Sequence, residues 1–304
     1  MRKYAALFAI VTSMAVMAPG CNFASRQRVQ SINRMNEGIE LHKRGNSSQA
    51  EQALKEAIEI DPSHAKAHYT LGQIKLKQSR LVDAEKAFRD AIGAAASEPA
   101  VQSEYNYQLG VVLASQGDET GISTNEKNAK YQDAIKAFQE TTKLDPNHYK
   151  AHYRMGVLYE RLDQPKLADA AFRRTIELQP TYSAAFVSLG NMYIDYGHAN
   201  VGQAVLETGV KVNDKDAKMW NGLGRAQLAL NKPQEAIDSL KKAKAIDPDL
   251  PDVLFGLGMA YAEIRQRKDA VENLQAFLTK AGQDVPEDIK KAANDTMARM
   301  QDVI

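Results

Sequence analysis

The 304-residue chain has one cysteine, at position 21, one tryptophan and only 7% aromatic residues. A single thiol forms no internal disulfide and builds no thiolate metal cluster. A dominant charge is also missing, since 39 Lys and Arg face 38 Asp and Glu for a net of +1. That balance supplies no field to draw in nucleic acid or an anionic membrane surface. No phosphate-cradling glycine loop, nucleophile elbow or catalytic cysteine setting occurs. With 44% hydrophobic and 25% charged residues, the make-up is nonetheless that of a folded protein. The length suits about two globular domains or one elongated repeat array.

What is present starts with Arg2 and Lys3, followed by an apolar run over residues 4–17 broken only by Thr12 and Ser13. Ala18, Pro19 and Gly20 then lead into Cys21. The run is short of the ~20 residues that span a bilayer as a helix, and it suits a secretory signal core. The segment resembles a bacterial lipoprotein signal. That resemblance implies removal of residues 1–20, lipidation of Cys21, and a short tether over residues 21–30. Asn22 stands where an Asp would resemble an inner-membrane retention signal, which implies an outer-membrane anchor facing the periplasm. Ordinary cleavage after the small-residue triplet is the alternative, and it leaves a soluble periplasmic protein.

From residue 31 the sequence has a beat. Glycines recur at 38, 72, 110, 156, 190, 224 and 258, at spacings of 34, 38, 46, 34, 34 and 34. Small residues follow at Ala50, Ala84, Ala168, Gly202, Ala236 and Ala270, and large apolar ones at Leu54, Phe88, Phe172, Leu206, Leu240 and Leu274. Prolines close units at Pro62, Pro146, Pro180 and Pro248. Within units, apolar residues fall at three- and four-residue steps, which predicts amphipathic helices in antiparallel pairs. No single pair buries its own stripe, so each pair stacks on the next.

Residues 217–248, with Trp220, Leu223, Gly224, Ala236, Leu240, Ala243 and Pro248, resemble the tetratricopeptide repeat family. The resemblance implies an all-α, right-handed helical solenoid of about seven helix-turn-helix repeats over residues 31–284. Their expected starts are 31, 65, 103, 149, 183, 217 and 251. Residues 285–304 carry Ile289, Ala293, Met297 and Met300 on one side, as a C-terminal capping helix requires.

Three features interrupt the pattern. Twelve extra, mostly polar residues at 118–129 predict a projecting loop, either tolerated drift or a docking loop. The fifth repeat holds Gly202 and Gly209 and has Lys215 where a closing proline would stand, so it is either a flexible joint or ordinary variation. The pairs His64/His68 and His148/His152 have a spacing that could ligate zinc. They occupy equivalent places in two repeats and lack a His-Glu-x-x-His glutamate, so they are expected to be structural, with no metal.

In the family resembled, the first helix of each pair lines a concave groove that binds extended or helical peptides. Carried onto this chain, the fifth and ninth repeat positions give Tyr69, Gln73, Tyr107, Val111, Tyr153, Val157, Asn191, Arg225 and Phe255 as candidate partner-binding residues. Tyr69, Tyr107 and Tyr153 would form an aromatic column, the alternative being that they pack between repeats. The expected partner is another envelope protein or peptide segment, with acyl chains holding the membrane. No nucleic acid, small-molecule substrate, cofactor or catalytic residue is implied, so the chain reads as a non-catalytic adaptor. Its signal, cysteine and tandem repeats resemble in architecture the tetratricopeptide lipoproteins that pilot type IV pilus secretins into the outer membrane. Rival expectations are a scaffold in a gliding-motility, polysaccharide-export or peptidoglycan-remodelling complex and, from another class, a metal-binding protein.

Overall fold

The computed structural model describes residues 19–301 apart from position 284, with side chains from 26 to 300. Of the expected signal segment, residues 1–20, positions 1–18 lie outside the described residues, as does the side chain of Cys21. The protein is all-α, with fifteen helices and no strand among the described residues. It divides into two compact units, residues 1–116 and 117–304.

The first unit contains α1 (Pro19–Lys43), α2 (Ser47–Ile60), α3 (Ala65–Lys77), α4 (Leu81–Ala94) and α5 (Pro99–Gly117), the last ending at the boundary. Helix α1 begins at Pro19, so the segment expected to be a tether is helical as far as its backbone is described. Its Ser31 is already fully buried. In the second unit, α6 (Thr124–Leu144) precedes the pairs α7 (Tyr149–Arg161) and α8 (Pro165–Leu178), then α9 (Ser183–Asp195) and α10 (Ala199–Val212). Two further pairs follow, α11 (Ala217–Ala229) with α12 (Pro233–Ile246), and α13 (Pro251–Glu263) with α14 (Arg267–Lys280). Helix α15 (Glu287–Gln301) ends the chain's described part, packing Ile289, Ala293 and Met297 against Leu254, Leu274 and Phe277.

The glycine beat has a direct physical cause. A Cβ at Gly72, Gly156, Gly190 or Gly224 would lie 2.5–2.8 Å from the buried side chain sixteen residues later, which is Phe88, Phe172, Leu206 or Leu240. Large side chains from the second helix of each pair therefore sit directly on the first helix's backbone. The turn joining the helices repeats as well. It puts one residue in the left-handed region at Gly45, Ser79, Asp163, Gly197, Asn231 and Arg265. Gly93 makes a useful contrast, since a Cβ there meets nothing within 4 Å and α4 is regular around it. Gly93→Ala is expected to raise stability by about 0.5–1 kcal/mol in urea unfolding, purely through helix propensity.

One sequence expectation needs correction. Much of the 118–129 insertion is helix rather than projecting loop, because α6 starts at Thr124 behind a capping box of Ser123 and Glu126. Its first residue is also tied down: Asp118 accepts hydrogen bonds from Tyr131, at 2.6 Å, and from Arg161. Burial opposes ionisation of Asp118, but those two bonds outweigh it and pull the carboxyl below its ordinary value.

The fifth repeat, for its part, has glycines with a packing reason. A Cβ at Gly202 would meet the Gly190 carbonyl at 2.7 Å, and one at Gly209 would meet Met219 at 2.6 Å. Helix α10 is continuous across both. The missing proline is also made good locally. Asn213 Oδ1 accepts from the Lys215 N–H at 3.1 Å, the same turn that Asp61, Asp145 and Asp247 make beside their prolines, which puts Asp214, not the expected Lys215, in the proline's place.

Candidate functional site

In the first unit, Tyr69 on α3 is half-buried, and its ring stacks on Tyr105 at 4.5 Å rather than on Tyr107. Its hydroxyl donates to Glu104 at 3.1 Å and accepts from Gln73 Nε2 at 2.9 Å. Burial, and then the Glu104 charge, push this phenol well above the ordinary tyrosine value, so it stays a neutral donor. Tyr107 and Val111 are half-buried on α5. Tyr153, in the second unit, packs its ring on Phe172 at 5.8 Å and edge-on to Tyr182 at 5.2 Å. Within their own units, Tyr69 thus pairs with Tyr105, and Tyr153 with Phe172 and Tyr182. Tyr105 is the α5 residue that faces α3, packed with Ala65, Ala91 and Ala95.

Along the second unit the remaining candidates separate. Val157 packs into the cluster of Ala168, Phe172, Leu189 and Met192. Asn191, Arg225 and Phe255 come together. Arg225 donates to Asn191 Oδ1 and to Asp195 Oδ1, both at 3.0 Å, and it lines a cavity of about 520 Å³ with Phe255. Ile194, Leu228, Met259 and Ile289 complete most of the apolar wall, and Asp252 supplies the other charge. A second cleft of about 730 Å³ holds Tyr153, Val187, Ser188, Lys215 and Lys218. Beside them on α11, Asn221 is 7% exposed and its Oδ1 has no hydrogen-bond partner.

Sequence reasoning missed Leu228, Asp252 and Ile289 as cavity residues. Ile289 carried a signal, its place on the apolar face of α15. Nothing local in the sequence says that this face closes over α13.

The histidines work as turn fasteners. His68 Nε2–H donates to the Pro62 carbonyl at 2.9 Å, and His152 does the same to Pro146 at 3.4 Å. Burial lowers the His152 imidazole below its ordinary value and keeps it neutral. His64 Nδ1 lies 2.6 Å from Ser31 Oγ, whose hydroxyl donates to the Ala57 carbonyl at 2.8 Å. Ser31 is fully buried and its proton is already committed, so the pair is no nucleophile and base. Among the described residues, no three His, Cys, Asp or Glu side chains are grouped to hold a metal ion. No helix there is long and apolar enough to cross a membrane.

Comparison with known proteins agrees with this architecture. The tetratricopeptide repeat family matches residues 35–99 and 126–183, and further repeats of the same kind match 224–264 and 252–283. The peroxisomal targeting signal receptor of Candida albicans is 23% identical over 250 residues, which is 80% of this chain and 40% of the receptor. The chain thus spans well under two thirds of the curated relatives it matches. A tetratricopeptide repeat protein from Parabacteroides merdae has the same fold at TM-score 0.61 and 15% identity, covering 88% of this chain and 99% of its own. PilW, described as a widely conserved type IV pilus biogenesis factor, follows at TM-score 0.56 and 18% identity, over 73% of this chain and 96% of PilW. Paired helices locked by a 34-residue beat and a family match through both units lead to one conclusion: the chain belongs to the tetratricopeptide repeat family.

Proposed function

We propose that this protein is a non-catalytic adaptor of a bacterial cell envelope. Its N-terminal segment is a secretory signal, and Cys21 carries the acyl chains that hold it to the outer membrane, facing the periplasm. The first helices of its repeats bind a segment of another envelope protein and help place or assemble a complex such as a type IV pilus secretin. The observation that carries this reading is the surface of the second unit, where Arg225, held by Asn191, and Phe255 line a cavity of about 520 Å³. The fold shared with PilW supports the pilus assignment among envelope complexes. Anchoring raises the effective concentration of both partners at one surface, which is how an adaptor acts without turnover.

Cys21→Ser is expected to move the protein from the membrane fraction to the soluble fraction, read by immunoblot. An unchanged distribution removes the anchor. Deletion of the gene is expected to abolish heat-stable secretin multimers, and normal multimers exclude the piloting role while leaving adaptor function to be assigned by partner capture.

A further inference from the structure

The cavity between α9, α11, α13 and α15 has features that define its occupant. Its apolar wall is made of Ile194, Leu228, Phe255, Met259 and Ile289, all only partly buried. About 520 Å³ lies within the range of sites that enclose a ligand group. Two charged side chains line it, and they are not equivalent. Arg225 is already neutralised by Asp195. Asp252, in the first turn of α13, is exposed and has no ion pair among the described residues. Asp288, two residues beyond the lining Pro286, is likewise exposed and without an ion pair there. An apolar hollow with an uncompensated anionic rim selects an apolar group next to a cation.

Resting on the adaptor reading above, we propose that this cavity takes one large apolar side chain of the partner segment, and that Lys or Arg flanks that side chain in the partner. The side chain displaces water from Phe255, Met259 and Ile289, while the flanking cation lies over Asp252. The occupant is a protein segment of that composition, and α15 is part of its binding site as well as an end cap.

The test uses the full chain and fluorescence anisotropy with three short, capped, labelled peptides in a Gly/Ser background. One has a central Phe between two Lys, the second replaces Lys by Glu, and the third replaces Phe by Ala. The Phe/Lys peptide is expected to bind tightest. The Ala version should be weaker by about tenfold or more, the worth of one buried large apolar side chain. The Glu version should be weaker by about three- to fivefold, as exposed charges allow.

Asp252→Lys is expected to reverse the order of the Lys and Glu peptides. Met259→Gln should weaken the Phe/Lys peptide about tenfold with thermal unfolding unchanged. Equal binding of all three peptides, or of none, overturns the proposal. So does indifference to both substitutions. Competition by phosphatidylethanolamine/phosphatidylglycerol vesicles, or a concentration-dependent dimer lost in Met259→Gln, also overturns it in favour of lipid or a second copy. If an envelope partner is still captured by both variants, the adaptor reading stands and the cavity assignment alone falls. If the unmodified chain captures none, the adaptor reading falls.

Discussion

Gly224→Ala is expected to destabilise the second unit by about 2 kcal/mol, although Ala is the better helix former. The added methyl would sit 2.5 Å from Leu240 Cγ, inside contact distance. Leu240 cannot step aside. It is fully buried with Ala236, Ala243, Val253 and Leu257, and a Cβ at Gly256 on α13 would already crowd it at 3.1 Å. Overpacking a filled core costs roughly 1–3 kcal/mol or more, whereas the gain in helix propensity is only about 1 kcal/mol. The steric term wins. Trp220, the chain's one tryptophan, lies one turn away on α11, with its indole N–H bonded to the Asp214 carbonyl at 2.8 Å and Lys242 4.2 Å above its ring. Its fluorescence in urea therefore reports on this repeat directly.

A double-mutant cycle tests the cause. Leu240→Ala alone should cost about 2–5 kcal/mol through its cavity. Combined with Gly224→Ala, the total should fall short of the sum by more than about 1 kcal/mol, because each change relieves the other. Strict additivity would falsify the interlock.

The fold was legible in the sequence for the same reason that this mutation should hurt. Gly224 and Leu240 are sixteen residues apart, and their contact recurs between Gly72 and Phe88 and between Gly156 and Phe172, so the pattern states the packing almost literally. The insertion was also partly legible. Ser123 and Glu126 stand at capping-box spacing ahead of α6, a helix-start signal that the polar composition around it obscured.

The candidate site was less open to such reading. Whether Tyr69 stacks on Tyr105 or Tyr107 depends on how α5 is rotated against α3, which a repeat position does not encode. Val157 and Arg225 share the ninth position, yet one joins the core and the other lines a cavity. What separates them is the neighbour: Asn191 and Asp195 hold the Arg225 guanidinium at the surface, and α15 leaves space beside α13. Those are distances between helices far apart in sequence, and no local spacing records them.

In the first unit, Glu51 carries the largest expected pH effect. Its carboxylate on α2 accepts from Lys75 on α3, from Lys55 at 3.0 Å and from Arg80 at 3.1 Å. Burial would raise its pKa, but the hydrogen bonds and charges of Lys75 and Lys55 outweigh that and hold the carboxyl at about 2, against an ordinary 4.5. A folded-state value below the unfolded one adds stability above about pH 4.5, and that contribution fades as pH falls toward 2. The loss amounts to at most about 3.5 kcal/mol at roughly 1.4 kcal/mol per unit. Glu51→Gln should remove a similar amount at neutral pH, because it strands the ammonium of Lys75, whose side chain is only 5% exposed. Replacing both partners, as Glu51→Leu with Lys75→Met, leaves no buried charge behind. That pair should recover most of the stability and flatten the acid dependence between pH 4.5 and 2, read by urea unfolding monitored by circular dichroism. An acid slope that survives the double substitution would assign the effect to other carboxylates, with Asp61, which Arg28 bonds at 2.7 Å, the next to test.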